Sequence, residues 1–150
     1  MNEKMVNEYM EKSVEVTIVY EKQEEGNYSC FVEEKFDKFG LAGYGSTARE
    51  AEEDLYVSER ETKEILEEKG VKMPKLVYNK RKFDVGSFFS YYPYFNITQF
   101  AKYSGLNPSQ MRQYASGNRK PTKEKKEQIN AAIRNLAETL LSNSRAFCID

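Results

Sequence analysis

Between Thr98 and Gly117 the chain reads TQFAKYSGLNPSQMRQYASG, and few folds accommodate that order of residues. Thr98 is a hydroxyl side chain suited to capping a helix start. Phe100, Ala101 and Ser104 fall on one side of the helix that follows, and the small Ala101 lets a neighbouring helix come close. Gly105 is expected to end that helix, because a tight corner there needs a backbone conformation that only glycine adopts without strain. Leu106 plugs the corner. Asn107 caps a second helix and Pro108 takes its first position, where a missing N–H costs nothing. Met111 and Tyr114 then point inward, while Ser109, Gln110, Arg112 and Gln113 point out. The expectation is a helix, a tight turn and a second helix.

A short helix that exposes Gln, Ser and Arg suits the major groove of DNA. The basic turn Asn118-Arg119-Lys120 follows it, placed for phosphates. Candidate DNA-binding residues are therefore Gln99, Asn107, Ser109, Gln110, Arg112, Gln113, Asn118, Arg119 and Lys120. Ala101, Gly105, Leu106, Met111, Gly117, Pro121 and Thr122 resemble the small residue, turn glycine, plug, core residue and exit of helix-turn-helix domains of the lambda repressor and Cro family. A plain helical hairpin would account for Ala101 and Gly105, but not for the exposed polar face with a basic turn behind it.

Charge divides the chain in the same sense. Residues 1–75 hold 11 Lys and Arg against 19 Asp and Glu, and residues 76–150 hold 12 against 5, so a net of −8 joins a net of +7. The basic half is the one that carries the motif, as phosphate attraction requires. Two cysteines, Cys30 and Cys148, are too few for a disulfide framework or a zinc site. The chain has no His, which removes the commonest catalytic base and metal ligand. No cofactor is expected. The first residues, MNEKMVNEYMEKS, lack the apolar core of a signal peptide, and no run is long enough to span a bilayer. A cytoplasmic protein without membrane contact is expected.

The acidic half reads as a small α+β domain. Residues 1–12 are polar, either loose or a short helix. Val14 to Tyr20 alternates Val14, Val16, Ile18 and Tyr20 on one side and predicts a strand. A charged turn with Gly26 leads to a second strand, Tyr28 to Val32, in which Cys30 reads as a small packed residue. A charged loop with Phe36 as anchor precedes a short third strand, Leu41 to Tyr44. Thr47 and Glu50 form a capping box. Ala48, Ala51, Leu55, Ser58, Thr62, Ile65 and Leu66 give the inner stripe of a helix that Gly70 stops before Pro74. The acids Glu50, Glu52, Glu53, Asp54, Glu59 and Glu61 are expected mostly on its outside.

Strand, strand, strand, Thr47-x-x-Glu50-Ala51 helix, Gly, Pro: this order resembles the HicB antitoxin family. The matching residues are the aromatic strand Tyr28–Val32, the approach Gly40…Gly45-Ser46-Thr47, and Glu50-Ala51 with the helix behind them. In the loop 33–39 (EEKFDKF) the chain departs from the family's Pro-Asp-x-Pro-Gly-Cys-like segment. The resemblance implies a β-β-β-α-β domain, like part of the RNase H fold, ahead of a DNA-binding domain. It also implies a HicA-like toxin as partner, a small basic ribonuclease. RNase H chemistry needs several carboxylates converging on metal ions, and acids along the outside of one helix do not converge, so an enzyme is not expected.

Leu76 to Phe83 is expected to return as an edge strand. Lys80-Arg81-Lys82 on it serve either as an edge guard or as part of a phosphate-facing surface. The aromatic stretch Asp84 to Tyr94 reads as the first helix of the second domain and a supplier of its core rather than a base-stacking platform. The expected domains are therefore 1–84, α+β, and 85–150, all-α helix-turn-helix. Pro121-Thr122 caps a long helix to about Asn143, whose stripe Ile129, Ile133, Leu136, Leu140 packs either on its own domain or across a homodimer or higher homo-oligomer. Two functions fit. One is a HicB-type antitoxin that also represses its own operator in double-stranded DNA. The other is a free-standing helix-turn-helix regulator whose first domain dimerises or senses a ligand.

Overall fold

A computed structural model describes residues 13–149, so the reading of residues 1–12 lies outside the described residues. The chain is α+β and divides into two compact units, one ending at Tyr94 and the other beginning at Phe95. The first unit runs β1 (Ser13–Lys22), β2 (Tyr28–Val32), β3 (Ala42–Gly45), α1 (Ala48–Glu68), β4 (Lys75–Phe83) and α2 (Val85–Tyr91). The strands form one mixed sheet in the order β3-β2-β1-β4. β1 pairs antiparallel with β2, β2 antiparallel with β3, and β1 parallel with β4. The period-2 pattern of β1 is realised, with Val16, Ile18 and Tyr20 buried under α1 beside Cys30 of β2. Burial pushes the Cys30 thiol up to about 12, which keeps it protonated.

α1 lies unusually close to β3. Its start is held by Thr47, whose Oγ1 accepts from Glu50 N at 3.1 Å, while the Glu50 carboxylate accepts from Ser46 N at 2.9 Å. Gly43 and Gly45 alternate on the helix side of β3. A Cβ on Gly43 would stand 2.1 Å from the Ala51 carbonyl oxygen and 2.4 Å from Leu55 N, and one on Gly45 2.7 Å from Ala51 N. Any side chain there would push the helix off the sheet. On the free side of this edge strand, the Tyr44 N–H donates to Asp54 Oδ2 at 2.9 Å. The helix ends at Lys69 with Gly70 at φ +72°, and Val71 N returns to Leu66 O at 2.8 Å, closing its last carbonyls.

Two expectations about α1 are corrected. Ile65 is 51% exposed, and Glu52 is 7% exposed. The cause is the helical period: at roughly 100° per residue, Ile65 sits about 90° off the line through Ala48, Leu55 and Leu66, and Glu52 less than about 50° off it. Glu52 therefore faces the sheet. Its Oε2 accepts from Tyr20 OH at 2.5 Å, and its Oε1 from Tyr56 OH at 2.5 Å and from Arg81 Nη2 at 2.9 Å. Burial alone would raise the Glu52 carboxyl, but these donors outweigh it and hold it down to about 2. Arg81 rises above its ordinary value, chiefly through the bond to Glu52. Burial and the same carboxylate push the Tyr20 and Tyr56 hydroxyls up.

Arg81 reaches Glu52 because β4 carries a bulge. Val16 pairs with Tyr78 but Thr17 pairs with Lys80, so Asn79 is the extra residue. A one-residue shift exchanges the faces of a strand. Leu76 and Tyr78 face α1 before the bulge, and Arg81 and Phe83 face it afterwards. Lys80 and Lys82 are left on the open face, where Lys82 Nζ meets Glu33 Oε1 at 2.9 Å. The expected edge strand is present, but Lys80-Arg81-Lys82 is not one guard: its middle residue points inward.

The expected boundary at residues 84/85 is also corrected, to 94/95. Asp84 caps α2 through Oδ1, which accepts from Ser87 N at 2.8 Å. Its Oδ2 accepts from Lys22 N of β1 at 2.8 Å. Ser90 Oγ accepts from Ala48 N at the start of α1, and Arg49 Nε donates to Tyr91 O at 2.8 Å with its guanidinium 4.1 Å above the Tyr91 ring. Tyr91 is buried edge-on to Tyr20. Tyr91 and Tyr92 of the aromatic stretch thus pack into the core of the first unit.

The second unit holds α3 (Ile97–Tyr103), α4 (Pro108–Ala115) and α5 (Lys123–Ser142). Phe100, Ala101, Met111, Tyr114 and Ile129 are its buried apolar residues. Thr122 caps α5, its Oγ1 accepting from Lys125 N at 3.2 Å. The α5 stripe is buried at Ile129, half-buried at Ile133 and Leu136, and open at Leu140, 63% exposed.

Two outcomes test this packing. Gly43→Ala lowers unfolding stability of the full chain by about 3 kcal/mol or more, whereas Gly40→Ala, with nothing within 4 Å, changes it by less than about 0.5 kcal/mol. Urea denaturation compares the two. Glu52 has a folded pKa of about 2, below its unfolded value of about 4.3. Its contribution is complete above the unfolded value and is lost as pH falls from there through the folded value. It is on the order of 3 kcal/mol. Glu52→Gln flattens that acid limb, read as stability against pH.

Candidate nucleic-acid interface

The corner between α3 and α4 is closed by backbone alone. Ser104 ends α3, Gly105 takes φ +70°, Gly105 N donates to Lys102 O at 3.3 Å and Leu106 N to Ala101 O at 2.8 Å. This pairing satisfies two of the carbonyls a helix end leaves open. Asn107 then caps α4, its Oδ1 accepting from Gln110 N at 3.0 Å, with Pro108 in the first turn. Met111 and Tyr114 face inward as expected.

The start of α3 differs from the expectation. Asn96, not Thr98, is the cap, and its Oδ1 accepts from Gln99 N at 3.1 Å. The pattern Asn96-x-x-Gln99 has the spacing of a capping box and is the signal in the sequence that pointed there. Thr98, freed from that role, accepts from Arg112 Nη1 at 2.9 Å. This bond straps α4 to α3 and sets the direction of the Arg112 side chain.

Ser109, Arg112 and Gln113 are exposed on α4, and Gln110 is half-buried. Asn107 is exposed, with its oxygen used as the cap. Gln99 is exposed one residue beyond the Thr98 strap, on α3. Asn118, Arg119 and Lys120 are exposed on the turn after α4. That turn is held back against the helix: Gly117, at φ +77°, donates to Tyr114 O at 3.1 Å, and Arg119 N donates to Gln113 O at 3.2 Å. The candidate residues of α4 and the basic turn are therefore joined by a direct backbone bond, and Gln99 is carried by the neighbouring helix.

Redrawn at the structural boundary, residues 1–94 hold 14 Lys and Arg against 20 Asp and Glu, a net of −6, and residues 95–150 hold 9 against 4, a net of +5. Among the described residues both ion pairs, Arg81–Glu52 and Lys82–Glu33, lie in the first unit. Arg112, Arg119 and Lys120 have no carboxylate partner among them. No three His, Cys, Asp or Glu side chains come together as a metal site among the described residues. Among the same residues no helix is long and apolar enough to cross a membrane. Compared with models of known families, with curated proteins and with solved structures, the chain matches none.

The corner is the part of this interface open to a simple test. Nothing lies within 4 Å of a Cβ on Gly105, so its replacement is resisted by backbone conformation alone. Gly105→Ala destabilises the second unit by about 1–2 kcal/mol, and Gly105→Asn by less, since Asn enters the left-handed region more readily. Thermal unfolding of the full chain followed by circular dichroism reads the difference.

Proposed function

We propose that the chain is a HicB-like antitoxin and autorepressor. Its second unit is a helix-turn-helix domain that binds operator DNA, and its first unit occludes a small basic ribonuclease toxin of the HicA kind. The observation that carries the DNA part is the exposed face of α4. Ser109, Arg112 and Gln113 stand free of the core while Met111 and Tyr114 anchor the helix. Arg119 is pinned beside Gln113. Glutamine reads an adenine edge by paired hydrogen bonds, and arginine beside it neutralises phosphate.

The strand order, the capping at Thr47 and Glu50 and the close β3–α1 approach support the toxin-binding part through the resemblance to HicB. Charge supplies only the sign of the partner: a net of −6 suits a protein that must itself bind RNA. The partly open stripe Leu136 to Leu140 on α5 supports pairing of two copies, which sets two α4 helices against half-sites about 34 Å apart.

The test uses the chain's own promoter and the neighbouring gene. Gln113→Ala relaxes sequence choice at about 1–3 kcal/mol per lost base contact. Arg119→Ala weakens all sequences alike and makes the salt dependence shallower by about one unit of slope. Gel shifts across salt concentrations separate the two, and the reverse pattern would overturn the orientation of α4. Co-expression of the full chain restores growth to cells expressing the neighbouring gene. Absence of toxicity from that gene would favour the free-standing regulator.

A further inference from the structure

The eight residues from Arg119 to Lys126, RKPTKEKK, hold five cations and one anion. Arg119, Lys120, Lys123 and Lys126 are exposed, and Lys125 is half-buried. None of the five forms an ion pair among the described residues. The last three are among the first four residues of α5, with the acids Glu124 and Glu127 interleaved and following. A helix start repels positive side chains, so the folding of α5 does not call for lysines there. Lys125 lies four residues before the buried Ile129, on the side turned to the core. Lys123 and Lys126, three residues apart, share another face.

The path of the chain puts these two near the candidate interface. The Arg119 amide is bonded to the Gln113 carbonyl, so the segment leaves α4 beside its exposed face. Four residues later, Lys123 is within about 14 Å of Arg119 along the chain. One strand of a duplex presents a phosphate every 3.4 Å of helix axis, roughly, so cations at this spacing meet phosphates only a few nucleotides apart.

We propose that Lys123 and Lys126 make a second set of backbone phosphate contacts to duplex DNA, extending the interface from α4 across the basic turn onto α5. The inference rests on the DNA-binding reading of the second unit. Base selection belongs to α4, while Lys123 and Lys126 add affinity that does not depend on sequence.

The experiment uses the full chain and a duplex of about 24 base pairs, two helical turns, of arbitrary sequence. Binding is followed by fluorescence anisotropy between roughly 50 and 200 mM salt. Lys123→Gln with Lys126→Gln makes the slope of log affinity against log salt shallower by about 1.8, two phosphates released. The ratio of affinities for two different duplexes stays constant, and the thermal melt is unchanged. Lys63→Gln, on exposed α1, leaves the slope alone. An unchanged slope in the double variant, with wild-type binding intact, overturns this extension only. A changed affinity ratio overturns it as well, because the lysines would then be selecting sequence. Failure of the wild-type chain to bind any duplex overturns the DNA reading and this inference with it. Equally tight binding to vesicles of anionic phospholipid, lost in the same variant, assigns the lysines to a membrane surface instead and overturns the proposal.

Discussion

The first unit depends on one buried carboxylate. Glu52 sits between α1 and the sheet, where an unpaired charge would be untenable. It is tolerated because β1 supplies Tyr20, α1 supplies Tyr56 and β4 supplies Arg81. Those donors come from three different elements, and a second tie joins β4 to α1 where Tyr78 OH donates to Glu59 Oε2 at 2.5 Å. The carboxylate thus specifies how the helix sits over the sheet, in a way that apolar packing alone, which is nondirectional, does not. The network reaches further through rings. Tyr20 stacks on Phe83 at 4.6 Å and meets Tyr91 edge-on at 5.5 Å. Through Tyr91 and Arg49, α2 is drawn onto the same core.

The requirement for a positive partner explains the irregularity of β4. A regular strand alternating from Leu76 and Tyr78 would have turned Lys80 and Lys82 toward the helix. The bulge at Asn79 exchanges the faces and delivers Arg81, whose planar fork matches a carboxylate and whose charge is never lost. Lys80 and Lys82 remain on the open face of an edge strand, where lysine discourages pairing with another chain. On the opposite edge, β3 is short and Asp54 takes the Tyr44 amide, so both edges of the sheet are made less available.

The second unit is built on a different principle. Its corner and caps are satisfied by Asn96, Asn107, Thr122 and the backbone of Gly105 and Gly117. Among the described residues its cations have no acidic partners. In the first unit Arg81 and Lys82 are paired with Glu52 and Glu33, and an excess of acids is left exposed. In the second, Arg119, Lys120, Lys123 and Lys126 are left to the solvent face. That asymmetry, more than the near-neutral total, is what the two units offer to partners of opposite charge.

Much of this was legible in the sequence, because local rules act on neighbouring residues. The alternation in β1, the cap at Thr47, the stops at Gly70 and Gly105, the start at Asn107-Pro108 and the inward Met111 and Tyr114 all follow from spacing and from the conformations that Gly, Pro and Asn prefer. Other features depend on residues far apart in the chain. The inward turn of Arg81 needs a bulge visible only in the pairing with β1, and the burial of Glu52 needs the donors Tyr20 and Arg81 to arrive from two strands. The sequence pattern assigned α2 to the second unit for the same reason: an aromatic stretch fits either core, and the contacts to Lys22 N, Ala48 N and Tyr20 that join it to the first come from residues far away in the chain. On α4, Ser109, Arg112 and Gln113 are exposed as read and Gln110 is half-buried, but the Arg112–Thr98 strap was not read, since it joins side chains 14 residues apart. Sequence by itself determined the elements and their ends, through short-range sterics and hydrogen bonding. Tertiary structure decided which polar side chains were buried, because a charge can leave water only where several distant partners converge on it.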